Sequence, residues 1–325
     1  MSKVLLMFPG QGSQSVGMAS WLLEYPMAAD LYERATKIVG WDVLEVCQNG
    51  PAERLMQTDV AQPAIFVTSI ATWTVLTAHM GWSQEPKTQE IGHECAPIML
   101  GHSLGDYSAL VACGHLSFED GLAVVTRRSR AMWECGERQA GGMVAVLGLE
   151  DEIVRHICGR VSEVWPANYN SPRQVVVSGS REGLTRLAEL VGGMTGARLV
   201  PLKVSGAFHS PLVAAATSEV AAALDEVPLH EATIGAFFST TELQLLQARK
   251  IHSAMVAQLT SPVQFSQALA YLRSTVCAAV EVGPGKVLAG LVKRIDRSLP
   301  VYSTNSEETL QTVRDTLRRD RGMTT

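Results

Sequence analysis

A serine between glycines is the first feature of this sequence that could do chemistry. Residues 101–105, GHSLG, follow the pattern G-x-S-x-G around Ser103. Residues 97–100 are apolar, as in a buried strand, and residues 106–113 have a helical pattern. A side chain raised on a tight strand-to-helix turn needs neighbours without a Cβ atom, and the helix N-terminus directs N–H groups at negative charge developing beside it. The pattern therefore predicts a nucleophile elbow with Ser103 as the nucleophile.

A serine nucleophile needs a base that takes its proton, and the chain offers eight histidines. His209 follows a short extended segment and begins a helix, which makes it the best candidate. His102 adjoins the serine, but we expect its side chain to diverge from it. Position alone also leaves a buried or capping role for His209 open. No acidic residue stands at an obvious strand end between Ser103 and His209, so a third member of a triad also stays open.

Arginines at positions 127, 128 and 130 fall in a helical pattern over residues 118–134. Basic residues late in a helix usually form a solvated face that favours the helix dipole. Successive residues on a helix, however, point about 100° apart. We therefore expect at least one of these arginines to point inward.

Composition restricts the function classes. The chain has 325 residues, 46% of them hydrophobic, and a net charge of −5, which gives no indication of nucleic-acid binding. Its six cysteines are scattered without a C-x-x-C or a Cys/His pair, so we expect no metal site and free thiols in a reducing compartment. No stretch has the pattern of a signal peptide or a membrane span. We expect a soluble, cytoplasmic, monomeric protein without a cofactor.

The order of predicted elements indicates two parts. Strands alternate with helices over residues 1–138 and 204–325, which predicts a large α/β domain with a parallel, α/β-hydrolase-like sheet. Residues 139–203 follow the order β-α-β-β-α-β, which predicts an inserted ferredoxin-like subdomain. Two glycines follow the first strand, but their spacing does not fit a dinucleotide-binding fingerprint. Residues 82–96 are polar and aperiodic, as in a surface insertion, and we expect the tail from residue 314 to be frayed.

Several motifs carry a resemblance to a known family over residues 4–306. They are FPGQGSQ at 8–14, GHSLG at 101–105, Arg128-Ser129, NSP at 170–172 followed by QVVVSG, GAFHS at 206–210, QLTSPVQF at 258–265 and EVGPGKVLAGLVKRI at 281–295. With these motifs in this order, the chain resembles malonyl-CoA:acyl carrier protein transacylases and the related acyltransferase domains of polyketide synthases. Asp106 stands where glutamate is usual, and Ser129 where glycine is frequent in the fatty-acid enzymes.

The resemblance implies a catalytic machinery. Ser103 would carry the acyl group as an ester, and His209 would serve as general base and then as general acid. A carbonyl near Gln258 would hold the imidazole, so no triad acid is needed. The backbone N–H groups of Gln11 and Leu104 would form the oxyanion hole, where such donors contribute a few kcal/mol each to stabilising the transition state.

The resemblance also implies the substrate and the partner. Arg128 would hold the malonyl carboxylate as a bidentate pair, and Phe208 would leave little room for an α-methyl branch. Asn170 matches another residue of the cleft. Acyl carrier proteins are acidic and carry the acceptor thiol on their own phosphopantetheine, so a basic docking patch is needed. The candidates are Lys286, Lys293, Arg294 and Arg297, although a merely solvated helix face explains them equally well.

Two other functions remain open at this stage. An acyl hydrolase that clears carrier proteins would share the serine and the histidine, but it would have no use for a carboxylate clamp at Arg128. A non-catalytic module that binds carrier proteins would not need an intact set of Ser103, His209, Gln11 and Arg128. The sequence therefore favours a malonyl transferase of fatty-acid or polyketide biosynthesis.

Overall fold

Two sheets and their flanking helices make up the part of the chain described by the computed structural model, residues 3–81 and 96–320. The strands are β1 (Lys3–Phe8), β2 (Ile98–Gly101), β3 (Gly141–Leu147), β4 (Val164–Ser171), β5 (Gln174–Ser180), β6 (Arg198–Pro201), β7 (Ala236–Ser239), β8 (Gln244–Leu245), β9 (Val276–Glu281) and β10 (Val301–Ser303). The α-helices are α1 (Pro26–Val39), α2 (Val43–Asn49), α3 (Ala52–Met56), α4 (Thr58–Met80), α5 (Gly105–Cys113), α6 (Phe118–Arg138), α7 (Asp151–Arg160), α8 (Arg181–Gly192), α9 (Thr217–Asp225), α10 (Ala248–Gln258), α11 (Phe265–Leu272), α12 (Val287–Ile295) and α13 (Glu307–Asp320). Two 3₁₀ helices span Ser20–Glu24 and Pro211–Ala216.

The larger sheet has the strand order β10-β9-β1-β2-β7-β8, and all its pairs are parallel except β7 with β8. The predicted α/β architecture with a parallel sheet is thus confirmed. β1 is central and buried from residue 4 onward, which explains its uninterrupted apolar sequence VLLMF at residues 4–8. Its register pairs Phe8 with Gly101 and Met7 with Glu281. The loops that follow β1, β2 and β9 therefore meet at one edge of the sheet.

The smaller sheet is antiparallel, with the order β4-β5-β3-β6. Its strands alternate with α7 and α8 in the predicted order β-α-β-β-α-β. Two backbone hydrogen bonds join β4 to the segment before α11: Tyr169 N–H donates to Val263 O at 2.8 Å, and Val263 N–H donates to Ala167 O at 2.9 Å. The Ser178 hydroxyl on β5 donates to the backbone oxygen of Phe208. These bonds fix the smaller sheet against the larger one.

Helix α4 is the buried helix of the larger part. By length and composition it could cross a membrane, the one such helix among the described residues, but 94% of its most apolar window is buried inside the protein. It packs against α1 and α6. The apolar character of α4 is therefore explained by its place in the core.

Some sequence-based boundaries differ from the structure. The tail expected to fray from residue 314 is helical to Asp320, because Leu310, Val313 and Leu317 form one buried stripe on α13. The helix expected to begin at His209 starts instead as the 3₁₀ helix Pro211–Ala216, which leads into α9. Of the predicted surface insertion at 82–96, residues 82–95 lie outside the described residues.

Gly105 provides a test of this arrangement. A Cβ atom at this position would lie 1.9 Å from the backbone oxygen of Phe8. We expect Gly105→Ala to lower the free energy of unfolding by about 1–3 kcal/mol or more, because β1 and α5 must move apart. Gly159→Ala is the matched control: its Cβ would meet no atom within 4 Å, and alanine favours the interior of α7. Equal melting temperatures for Gly105→Ala and the wild type would contradict this account.

Candidate active site

Ser103 lies on a sharp turn between β2 and α5. Its φ of 55° is in the left-handed region, which is strained for a residue with a side chain. The flanking glycines leave no room for a side chain because other backbone atoms lie against them. A Cβ atom at Gly101 would lie 1.9 Å from the Asp106 nitrogen. Gly10 in the loop after β1 is just as close, with its Cβ position 2.2 Å from His102 O. The predicted elbow is thus present and packs against the first loop.

His209 contacts the serine directly. Its Nε2 lies 2.8 Å from Ser103 Oγ, and its Nδ1 lies 2.9 Å from Gln258 O and 3.1 Å from Ser261 O. Two carbonyl acceptors require that Nδ1 carries the proton, so Nε2 accepts from the serine hydroxyl. Burial, and next the charge of Arg128, lower the pKa of His209 to about 3. The imidazole is therefore neutral near pH 7 and can take the proton of Ser103.

The carbonyl contacts also address the open question of a third triad member. Within the described part of the chain, Nδ1 of His209 has backbone oxygens and no carboxylate as partners. These oxygens come from the end of α10 and the loop that follows it. Ser103 and His209 therefore form a dyad whose imidazole is oriented by main chain.

Arg128 is the inward-pointing arginine of α6 and is fully buried. Its Nη1 donates to Gln62 Oε1 at 2.6 Å, and its Nη2 donates to Gln258 Oε1 and to Ser103 Oγ, each at 3.1 Å. Its Nε has no hydrogen-bond partner among the described residues. The guanidinium also lies over the Tyr107 ring, 5.4 Å from the ring centre. A buried cation with neutral partners and an unused donor therefore lies beside the nucleophile.

The neighbouring arginines of α6 point elsewhere. Arg127 forms ion pairs with Glu219 at 2.6 Å and Glu226 at 2.8 Å on the outer side of the helix. Arg130 is exposed and contacts Glu134, one helical turn away. The 100° turn per residue explains why adjacent arginines have opposite environments.

The side chain of Gln258 forms hydrogen bonds with Ser103, Asp106 and Arg128. Its Nε2 donates to Ser103 O at 3.0 Å and to Asp106 Oδ2 at 2.5 Å, while its Oε1 accepts from Arg128. Asp106 Oδ1 accepts from the Gly101 N–H at 3.0 Å. Burial raises the pKa of Asp106 to about 7, against the opposing effects of these two N–H donors and of Arg128.

Gln11 and Leu104 provide backbone N–H groups on either side of the serine. Within the described residues, neither of these two N–H groups donates to another protein group. The side chain of Gln11 is held, since its Nε2 donates to Thr58 Oγ1 at 3.2 Å. Thr58 Oγ1 lies 2.7 Å from Ser205 Oγ, in the segment that leads to His209. Gln11 and Leu104 both belong to the residues that line the cavity beside Ser103.

A cavity of about 160 Å³ opens above the dyad. Five of the residues singled out in the sequence line it: Ser103, Arg128, Asn170, Phe208 and His209. Asn170 Oδ1 accepts from His102 Nε2 at 2.8 Å, and burial lowers the pKa of His102. His102 therefore faces β4 and leaves Ser103 to His209.

Helix α12 separates the cavity from the predicted docking residues. Val287, Leu288 and Leu291 line the cavity from one side of the helix. The four predicted docking residues are exposed: Lys286, Lys293, Arg294 and Arg297. Arg294 contacts Gln174 on β5, whereas Lys286 and Lys293 line a separate groove against β10 and α13. Arg294 thus reaches the rim of the cavity, whereas Lys286 and Lys293 lie on a different groove.

Two residues of the site were missed by sequence reasoning. Gln62 is the buried hydrogen-bond acceptor of Arg128, and Thr58 holds Gln11 one helical turn earlier. The available signal was a single amide in the otherwise apolar, small-residue run of α4. For metals, the described residues contain no group of three or more His, Cys, Asp or Glu side chains that could hold an ion.

Known proteins resemble this chain over nearly its whole length. A family model described as "Acyl transferase domain" matches residues 5–323. The malonyl CoA-acyl carrier protein transacylase of Haemophilus influenzae is 35% identical over 322 residues, which cover 98% of this chain and 100% of that protein. The chain belongs to this acyltransferase family.

Solved structures agree with this assignment. The malonyl-CoA:acyl carrier protein transacylase FabD from Xanthomonas oryzae has a TM-score of 0.88 at 32% identity and covers 97% of this chain and 98% of its own. A second solved structure is a type II PKS acyl-carrier protein in complex with its malonyl-transacylase. The matched chain has a TM-score of 0.87 at 32% identity, and the match covers 97% of this chain and 100% of that chain. The fold of this acyltransferase is therefore shared over nearly its whole length.

Proposed function

We propose that this acyltransferase moves a malonyl group from malonyl-CoA to the phosphopantetheine thiol of an acyl carrier protein, through an ester on Ser103. The observation that carries the proposal is Arg128. A buried guanidinium without a carboxylate partner costs several kcal/mol in desolvation. A substrate carboxylate near the serine would offset this cost, and the free Nε shows remaining donor capacity. In malonyl-CoA, one methylene group separates such a carboxylate from the thioester carbonyl.

The first half of the reaction forms the ester. The Ser103 hydroxyl attacks the thioester carbon while His209 Nε2 takes its proton. The N–H groups of Gln11 and Leu104 stabilise the tetrahedral oxyanion. The C–S bond then breaks, and the imidazolium returns its proton to the departing CoA thiolate.

The second half reverses these steps with another thiol. The phosphopantetheine thiol gives its proton to His209 and attacks the malonyl ester, and Ser103 leaves as the reprotonated alcohol. The enzyme returns to its starting state, as a ping-pong mechanism requires. Phe208 beside His209 narrows the cavity near the α-carbon, so malonyl is favoured over a methyl-branched unit by about 1–3 kcal/mol.

The alternatives have less support. A hydrolase acting on carrier proteins would not need an uncompensated arginine 3.1 Å from the serine hydroxyl. A non-catalytic module would not need the 2.8 Å contact between Ser103 and His209. Both features instead fit a transferase that holds an anionic acyl group.

The proposal extends to the architecture. Residues 1–138 and 204–325 form an α/β-hydrolase-like domain, and residues 139–203 form an inserted ferredoxin-like subdomain. The sheet order β4-β5-β3-β6 with two helices supports the second assignment. The cavity has lining residues from both parts, including Ser103 and Asn170.

Incubation with malonyl-CoA tests the function itself. We expect intact-protein mass spectrometry to detect a malonyl adduct on Ser103 that is absent from Ser103→Ala. Adding an acyl carrier protein that bears phosphopantetheine should discharge the adduct onto the carrier. Release of free malonate at the same rate with and without the carrier would support the hydrolase instead, and absence of any adduct would support the binding module.

Arg128→Ala tests the carboxylate clamp. We expect malonyl transfer to fall by about 100-fold, because a charged hydrogen-bonded contact is lost, while acetyl transfer survives or rises. Arg127→Ala is the matched control, since its side chain pairs with Glu219 and Glu226 outside the site. Initial rates with malonyl-CoA and acetyl-CoA give the comparison. An equal loss of both activities would make Arg128 a structural residue.

Charge reversal on α12 tests carrier docking. We expect Lys286→Glu and Lys293→Glu each to raise the KM for the carrier protein by about 3- to 10-fold, because rim charges act mainly on association. Transfer to free pantetheine, an uncharged acceptor, should not change. Lys37→Glu on the exposed face of α1 is the control. An unchanged KM for the carrier in both α12 variants would place docking elsewhere.

A further inference from the structure

We propose that Asp106 is a positioning residue for acyl selectivity: its two carboxylate oxygens fix the direction of the Gln258 amide, and the amide holds Arg128 toward the acyl group. This inference rests on the proposed malonyl transfer and concerns a residue that touches no substrate. Asp106 is 1% exposed and lies in the first turn of α5, behind the serine.

The hydrogen bonds of the Gln258 amide are fully assigned by its surroundings. Its Nε2 has two hydrogens and two acceptors, Ser103 O at 3.0 Å and Asp106 Oδ2 at 2.5 Å. Its Oε1 accepts from Arg128 Nη2 at 3.1 Å. A guanidinium is only a donor, so the amide must present its oxygen to Arg128. The opposite orientation would place the NH₂ group against the guanidinium donor and the oxygen against two acceptors.

Asp106 stabilises this orientation in its carboxylate form, which accepts through both oxygens. The two N–H donors and Arg128 favour that form against the effect of burial. Oδ1 accepts from the Gly101 N–H at 3.0 Å, and Oδ2 accepts from Gln258. The first contact ties the carboxylate to the base of the elbow, so the second has a fixed direction. A side chain with only one acceptor could satisfy one of these two donors but not both.

The orientation of the Gln258 amide determines how Arg128 is held. If the amide turned, its NH₂ group would face the guanidinium at 3.1 Å, and Arg128 would lose one of its two amide acceptors. Gln62 would remain on Nη1, and the Ser103 hydroxyl, which itself reacts, on Nη2, so the plane of the guanidinium would be held less firmly. A bidentate contact with a carboxylate depends on that plane, whereas attack on the thioester carbonyl does not. Selectivity for an anionic acyl group should therefore suffer more than transfer itself.

Asp106→Asn and Asp106→Glu separate this role from simple packing. Asparagine keeps the shape but offers one acceptor and one donor, whereas glutamate keeps two acceptors and the charge. We expect Asp106→Asn to lower the ratio of malonyl to acetyl kcat/KM by about tenfold or more, and Asp106→Glu to retain most of it. Ser108→Ala on the same helix removes a buried hydroxyl that has no hydrogen-bond partner within the described residues, and it should leave the ratio unchanged.

A double-mutant cycle tests the path through Gln258. Methionine is unbranched like glutamine but has no amide, so Gln258→Met should lower the ratio by itself. Asp106→Asn should then add nothing further in the Gln258→Met background. If Asp106→Asn does not fold, Gln258→Met and Asp106→Glu still decide: a ratio retained by Gln258→Met, or lost in Asp106→Glu, overturns the proposal.

The same assay distinguishes failure of this inference from failure of the function. A wild-type protein that forms no malonyl ester on Ser103 refutes the proposed transfer. A wild-type protein that transfers malonyl, with an Asp106→Asn variant that loses malonyl and acetyl transfer equally or loses neither, refutes only the role of Asp106.

Discussion

The burial of one positive charge governs this site. Arg128 has no exposed surface, and its hydrogen-bond partners among the described residues are two amide oxygens and the serine hydroxyl. Neutral acceptors satisfy N–H groups without cancelling the charge, so the cation keeps its field inside the cavity. The same field helps to keep His209 unprotonated, because a second positive charge nearby would be repelled. A base and an anion receptor can therefore stand side by side without neutralising each other.

The fold delivers these groups from distant parts of the chain to one edge of the parallel sheet. β1 and β2 bring the Gln11 loop and the serine together through their register. Helix α4 supplies the acceptor for Arg128, and α10 ends where its last residue can support both His209 and the elbow. Glycine is required where backbones touch, as at Gly105 against Phe8. The closeness of these backbones explains why the serine can be held in a strained conformation.

The sequence was sufficient for the groups whose chemistry depends on local pattern. The elbow follows from glycine spacing between a strand and a helix, and the inward arginine follows from helix geometry. The amide contacts could not be predicted, since Gln62 and Gln258 are nearly 200 residues apart. The apolar run around Gln62 indicates that this amide is buried, but not which group it accepts from. Helix α13 was partly missed for a similar reason. Its sequence is mostly polar, and its narrow apolar stripe is recognised as such only because it packs against α4.

Main-chain support of the histidine has a consequence for charge. A triad carboxylate at Nδ1 would bring a negative charge close to Arg128 and weaken its attraction for a substrate anion. The carbonyls of Gln258 and Ser261 orient the ring equally well and add no charge. The carbonyl of Gln258 comes from the residue whose side chain also contacts Arg128, so one residue positions both base and cation. Support of His209 by carbonyls therefore adds no further carboxylate beside Arg128 to that of Asp106, which lies behind Gln258.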